Sequence, residues 1–309
     1  MPREWTAPST PQYAGATMQR TPSLLYRAIA FVGERLNPPT HAVPLPQARA
    51  QMRRPGPARV MGRRAALAEV QDGELAGVRV RRYVPHGAQP GVLVFFHGGG
   101  WVVGDLESHD VPASALAAAT CREVVAVDYR LAPEHPYPAA LEDALAVTRA
   151  LLDRRPVVAG DSAGGNLAAA VAQVLGEALT AQVLVYPVTD CAEERGSYAE
   201  FASGYLLSRE AMRFYVETYV PESSRRTEPG CSPLRAPSLR GVAPALVLTA
   251  ACDVLRDEGA AYAERLRDEG VEVAHTEYPG TLHGFFSLQG LPEGVSAVKQ
   301  VAAWLAPRW

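Results

Sequence analysis

Pro156-Val157-Val158-Ala159-Gly160-Asp161-Ser162-Ala163-Gly164-Gly165, followed by Leu167-Ala168-Ala169-Ala170-Val171-Ala172, decides the fold. The first residues form a short apolar run of strand length, and the last form an apolar run with helix-forming residues. Between them lies G-x-S-x-G, at Gly160, Ser162 and Gly164. A strand that turns sharply into a helix through this pattern is a nucleophile elbow, which holds the serine in a strained backbone at the top of a sheet. Glycines two before and two after the serine remove side chains that would clash in such a turn. The pattern alone is common by chance; between a strand and a helix it is specific.

A serine hydroxyl is a weak nucleophile and needs a base, an acid that orients the base, and donors for the oxyanion. Val242 to Ala250 reads as a buried strand, with Asp253 just past its end. Val271 to Tyr278 reads as another, and His283 lies in the loop after it, ahead of Gly284-Phe285. Reacting groups of open α/β sheets collect beyond the carboxyl ends of the strands. Ser162, Asp253 and His283 all stand there, in the chain order Ser, Asp, His. Asp257 and Asp190 compete for the acid, but Asp253 is nearest a strand end. Seven histidines compete for the base, and only His283 follows the last strand in a loop able to reach Ser162.

Upstream, the apolar run Gly91 to Phe96 leads into His97-Gly98-Gly99-Gly100-Trp101. Successive glycines leave backbone N–H groups bare. Gly99 and Gly100 are the expected oxyanion donors together with the amide of Ala163, with Gly98 shaping the turn. Trp101, Tyr186, Tyr205 and Phe285 are candidates to line the substrate pocket, and simple core packing is the competing reading for each. Asp161 is expected to support the elbow from beneath, His97 to hydrogen-bond the glycine loop, and Arg130, Glu134 and Asp143 to form one polar network.

Around these motifs the pattern alternates. Strands are expected at about 65–71, 76–84, 91–97, 122–128, 156–161, 181–186, 243–250 and 271–278, with helices at 109–120, 139–154, 163–176, 256–269 and 293–305. That makes an α/β protein with a mostly parallel eight-stranded sheet flanked by helices. Residues 1–55 depart from it: Pro-rich pieces flank a helical pattern at Ser23 to Leu36, whose packed face is expected to include Leu24, Leu25, Ile29 and Phe31. Residues 190–230 depart too, being polar and turn-rich around a helix from Ser208 to Val220. The expected domains are N-terminal cap helices (1–55), a first core part (56–189), a cap insertion (190–230) and a second core part (231–309).

The chain resembles the hormone-sensitive-lipase-like carboxylesterases, the bacterial family IV of the α/β-hydrolase fold. The matching residues are His97 to Trp101, Asp128 to Glu134 with Pro136 to Ala140, Gly160 to Gly165, Ser232-Pro233-Leu234, Asp253 with Leu255 to Gly259, and His283-Gly284-Phe285. Asp161 stands where a sister group carries Thr, which marks the GDSAG branch. Val254 replaces the Pro usual after the catalytic Asp, which alters a turn and leaves the acid in place. The resemblance runs from about Val60 to the C-terminus. It implies a serine esterase for short- to medium-chain acyl esters, working without metal or organic cofactor, and a homodimer joined through the last strand. An amidase such as an arylformamidase shares the fold and is the alternative. A hydrolase-fold receptor without catalysis is the remote one, since such receptors lose a triad residue and this chain keeps all three.

Composition agrees. Hydrophobic residues make up 48% of 309 and the net charge is −3, which gives no sign of a nucleic-acid partner. Arg53-Arg54 and Arg63-Arg64 read as a solvated face. Lys299 is the one lysine among 30 basic residues; a GC-rich coding genome is the plain explanation and thermal adaptation the sharper one. Four cysteines match no zinc pattern. Cys121 and Cys252 are expected to be buried beside the sheet, while Cys191 and Cys231 share the cap segment and leave a disulfide open. The N-terminus has no apolar core of signal-peptide length and no run approaches a membrane span, so a soluble, cytoplasmic protein is expected.

Overall fold

The computed structural model describes residues 21–36, 38–54 and 56–309. Its strands are β1 (Glu69–Leu75), β2 (Val78–Val84), β3 (Val92–Phe96), β4 (Glu123–Val127), β5 (Val157–Asp161), β6 (Ala181–Val185), β7 (Ala245–Cys252) and β8 (Val273–Leu282). The helices are α1 (Leu24–Leu36), α2 (Leu45–Met52), α3 (Ala58–Met61), α4 (Asp110–Thr120), α5 (Ala139–Arg149), α6 (Ala163–Leu175), α7 (Gly196–Glu200), α8 (Arg209–Tyr219), α9 (Arg256–Asp268) and α10 (Pro292–Leu305). The strands form one sheet in the order β1-β2-β4-β3-β5-β6-β7-β8. Pairing is antiparallel from β1 to β4 and parallel from there to β8. Every residue of β3 to β7 is buried, which is why these strands read as unbroken apolar runs.

From β3 the chain moves outward to β4 on one side, then returns to β5 on the other. The order reverses between β3 and β5, and the crevice beyond their carboxyl ends is the site-forming position of such sheets. Phe96 pairs with Gly160, so the glycine loop after β3 and the serine turn after β5 begin side by side. The contact leaves no room for side chains. A Cβ on Gly164 would stand 1.9 Å from the Phe96 carbonyl oxygen, and one on Gly160 would stand 2.2 Å from that of Gly164.

The opening hairpin lies further along the chain than expected. Its turn is Ala76-Gly77, both at positive φ (53° and 80°), the two-residue geometry that matches strand twist. Asp72 is thereby drawn into the ladder opposite Arg81 and takes that guanidinium at 2.5 Å. Cys121 is exposed rather than buried, because it ends α4 in a left-handed conformation; Cys252 is buried as expected.

Of the N-terminal segment, residues 1–20 lie outside the described residues. In α1 the packed residues are Tyr26 and Ala30 with Ile29 partly buried, whereas Leu24, Leu25 and Phe31 face outward. The face is set by β8, since the Ser23 N–H donates to the Gly280 carbonyl at 3.1 Å. The N-terminal segment and the 190–230 segment meet each other: the Leu206 amide donates to Glu34, and His41 Nε2 lies 3.6 Å from Glu210. Among the described residues no helix is long and apolar enough to cross a membrane.

Two stability predictions follow from this packing. Gly164→Ala should cost about 3 kcal/mol or more, because backbone must move to admit a methyl group. Gly165→Ala, whose Cβ would meet Pro187 at 3.0 and 3.1 Å and the Gly160 carbonyl oxygen at 3.2 Å, should cost less, about 1 kcal/mol, since the neighbours need give by only a few tenths of an ångström and alanine's helix propensity offsets part of the crowding. Urea unfolding of both variants checks the pair, and equal costs would contradict the contact.

The second concerns Glu258 on α9, fully buried, which accepts the Thr189 N–H at 2.7 Å. Burial pushes its carboxyl up from 4.5 to about 8, the Thr189 hydrogen bond opposing and Asp190 adding to the rise. The folded chain thus holds a proton that the unfolded chain releases at lower pH. The associated stability is complete below 4.5 and is lost as pH rises through about 8. Glu258→Gln should remove this dependence, so its urea midpoint should gain on wild type between about pH 5 and about pH 9. A constant difference between the two proteins would rule the effect out.

Candidate active site

Ser162 sits between β5 and α6 at φ 57°, ψ −119°, a conformation that non-glycine residues adopt only under constraint. The constraints are visible. The Ser162 N–H donates to the Val185 carbonyl at 2.8 Å, and the Ser162 carbonyl accepts the Asn166 N–H as the first bond of α6. Asn166 Nδ2 in turn donates to the carbonyls of Val188 (2.9 Å) and Cys231 (2.8 Å), tying the helix start to the neighbouring loops.

Ser162 Oγ lies 3.0 Å from His283 Nε2, and His283 Nδ1 lies 2.8 Å from Asp253 Oδ2. The other Asp253 oxygen accepts the Leu255 N–H at 3.0 Å, so the carboxylate is fixed on both sides. β7 ends at Cys252 and β8 runs on to Leu282, four residues past the expected end. Asp253 and His283 therefore each stand immediately beyond a strand, and β7 pairs with β8 through Cys252 and Leu282. Tyr186 lies against the imidazole with ring centroids 4.5 Å apart, and Phe285 meets Tyr186 edge-on at 5.6 Å. These two aromatic side chains are fully buried behind the histidine.

The glycine loop is held on its inner side by Asp161, whose Oδ1 accepts the Gly98 N–H at 3.0 Å. Burial opposes the charge of Asp161, yet His109 beside it, with His283 and His97, holds its carboxyl below the ordinary value. His97 places Nδ1 2.8 Å from the Gly98 carbonyl oxygen and stacks on Tyr129. Burial, then His109, depresses its pKa to about 4, so it is neutral near pH 7. The Gly99 carbonyl accepts the N–H groups of Val102 and Val103 at 3.1 and 3.0 Å. That fixes the peptide plane carrying the Gly100 amide. Among the described residues the amides of Gly99, Gly100 and Ala163 donate no hydrogen bond, unlike that of Gly98.

Sequence reasoning missed who holds the loop from outside. Arg49 on α2 donates to the carbonyls of Val102 (3.0 Å) and Ala132 (3.1 Å), and pairs with Glu134 at 2.7 Å. Glu134 thus belongs to Arg49, while Arg130 pairs with Asp143 and Glu142; the expected single network is two. Arg53, Arg54, Arg63 and Arg64 are exposed, as expected of a solvated face, and two of them also reach carboxylates: Arg53 pairs with Asp105 and Arg64 with Asp110. Tyr215 and Thr40 were missed as well, because no local pattern marks a contact between residues 175 positions apart. Trp101 is fully buried and stacks on Tyr219, and Tyr205 packs on Phe201. A cavity of about 480 Å³ opens between the 40–45 segment and α8, walled by Val43, Leu45, Val102, Pro133 and Phe214. Trp101, Tyr186, Tyr205 and Phe285 are not among its lining residues.

Comparison with known proteins gives the family. A family model described as an alpha/beta hydrolase fold matches residues 93–287. The chain is 42% identical over 251 residues to the carboxylic ester hydrolase LipN of Mycobacterium tuberculosis, covering 73% of this chain and 65% of that one. It is 38% identical over 232 residues to the ethyl acetate hydrolase of Pseudomonas putida, covering 69% and 73%. Among solved structures, the hyperthermophilic esterase of the archaeon Pyrobaculum calidifontis superposes with a TM-score of 0.87 at 32% identity, covering 93% and 98%. An α/β-hydrolase enzyme from the metagenome of Lake Arreo gives 0.83 at 38%, covering 92% and 96%. The chain belongs to the α/β-hydrolase-fold family, in its hormone-sensitive-lipase-like, bacterial family IV esterase branch.

Proposed function

We propose that this protein is a serine carboxylesterase that hydrolyses short- to medium-chain acyl esters through an acyl-enzyme. The observation that carries the reading is the continuous chain Ser162–His283–Asp253, with contacts of 3.0 and 2.8 Å at the ends of three strands. Ser162 Oγ attacks the ester carbonyl while its proton passes to His283 Nε2. Asp253 accepts the Nδ1 proton in a hydrogen bond, fixing the tautomer and stabilising the imidazolium without taking the proton. The oxyanion is received by the amides of Gly99, Gly100 and Ala163, where such preorganised donors act at the point of charge development. His283 then protonates the leaving alcohol, and water repeats the sequence on the acyl-enzyme.

The substrate class rests on the segments that cover the site. Residues 21–54 and 190–230 act as a cap, and their mutual contacts at Glu34 and His41 support that role. Tyr186 and Phe285 support the imidazole. A cytoplasmic location and homodimerisation through β8, the last strand of the sheet, complete the reading; sedimentation velocity measures the latter.

Aryl esters from acetate to palmitate should be turned over with a maximum among the shorter chains. In Ser162→Ala, kcat should fall by about 10³-fold or more, leaving what oxyanion donors and binding supply. Retention of more than about a tenth of the wild-type kcat would remove Ser162 from the nucleophile's role.

A further inference from the structure

One face of α8 grips two consecutive residues of the glycine loop. Tyr215 and Tyr219, one helical turn apart, meet Gly100 and Trp101. A Cβ on Gly100 would stand 2.3 Å from both Cγ and Cδ1 of Tyr215, so the phenol ring lies directly over the glycine α-carbon. The Trp101 indole stacks on Tyr219 with centroids 4.2 Å apart and planes 8° from parallel. The far end of the Tyr215 ring is pinned, since its hydroxyl lies 2.7 Å from Thr40 Oγ1. Gly100 is therefore glycine for two reasons: its φ of 59°, and a ring that fills the space of a side chain.

The rest of the loop has backbone anchors. Asp161 takes the Gly98 amide, Arg49 takes the Val102 carbonyl, and the Ala132 N–H donates to the Trp101 carbonyl at 2.9 Å. The bonds to the Gly99 carbonyl orient the Gly100 amide but do not hold the turn down against its outer side. Glycines at 98, 99 and 100 give the backbone little resistance of its own. Tyr215 stands on the side of the turn from which a Gly100 side chain would project.

We propose that Tyr215 is a positioning residue for the oxyanion site. Its ring, braced by the Thr40 hydroxyl, seats Gly100 so that the free amide faces the substrate carbonyl oxygen and water stays off the outer side of the turn. The N-terminal segment and α8 are thereby coupled, through one phenol, to the rate of the chemical step as well as to substrate enclosure. This rests on the esterase reading above. A donor displaced from an oxyanion site weakens transition-state binding more than ground-state binding, so the loss falls on kcat.

The test uses the full chain and p-nitrophenyl acetate, whose acyl group is too short for acyl-pocket contacts to matter. Active sites are counted by titration with a fluorophosphonate, and melting temperatures are recorded alongside. In Tyr215→Ala, kcat per titrated site should fall about 10- to 100-fold with KM changed by no more than about threefold. Tyr215→Phe and Thr40→Val should each lower kcat by about threefold, and the double variant no further, because both remove the same brace. The last two variants decide the matter if Tyr215→Ala does not fold. A lowered melting temperature with wild-type kcat per titrated site overturns the proposal, as does an effect confined to KM, or additive losses in the double variant. Failure of the esterase reading looks different: the wild-type chain would then neither hydrolyse the acetate nor take up the fluorophosphonate.

Discussion

The close approach of α6 to the end of β3 is the constraint from which the rest of the site follows. Backbone packs on backbone there, with Gly164 against the Phe96 carbonyl and Gly160 against the Gly164 carbonyl, at distances that exclude any Cβ. Because β3 and β5 are neighbours at the reversal of strand order, this contact brings two otherwise independent loops together. One carries the serine and the other carries the free amides. The positive end of the α6 dipole lies at the same place, which favours negative charge developing beside Ala163. A larger residue at either glycine would meet backbone and force the serine turn and the β3 end apart.

The same neighbourhood holds a buried anion that takes no part in proton transfer. Asp161 precedes the nucleophile, yet its carboxylate turns to the other loop and receives the Gly98 amide. A buried carboxylate is costly unless hydrogen-bonded and paired. Here the Gly98 N–H is supplemented by His109 Nε2 at 3.5 Å. The two loops are thus joined by a strong charge-assisted hydrogen bond as well as by packing. It also leaves the Gly98 amide occupied, in contrast to those of Gly99 and Gly100.

The sequence made the central sheet and the three triad positions readable for a common reason. Strands buried on both faces are unbroken apolar runs, and a reactive residue placed directly after such a run must lie at the sheet's carboxyl edge. The first hairpin was harder, because Asp72-Gly73 is polar and turn-like; it lies in the β1–β2 ladder, where Asp72 also pairs with Arg81 and Arg79. Helix α1 shows the opposite failure. Its apolar residues at helical spacing identified a helix correctly but not its buried side, since Leu24, Leu25 and Phe31 point outward. The Tyr215–Thr40 brace and the Arg49 clamp were invisible for a third reason: they join segments far apart in the chain, and nothing in either segment predicts its partner.

Arginine's dominance over lysine, 29 to 1 by the counts of 30 basic residues and the single Lys299, has a consequence beyond codon usage. Several of these guanidinium groups end on backbone carbonyls: Arg49 on Val102 and Ala132, Arg154 on Gly91, Arg226 on Val220, Arg265 on Leu234 and Ala236. A planar fork with several donors can span two carbonyls at once, which a lysine ammonium does poorly. The carbonyls are neutral, so the attraction is short-ranged and dissolved salt screens it far less than it screens a pair of opposite surface charges. At the site, added salt should therefore weaken the Arg49–Glu134 pair while leaving the Arg49 bonds to the Val102 and Ala132 carbonyls, and with them the seat of the glycine loop, largely intact.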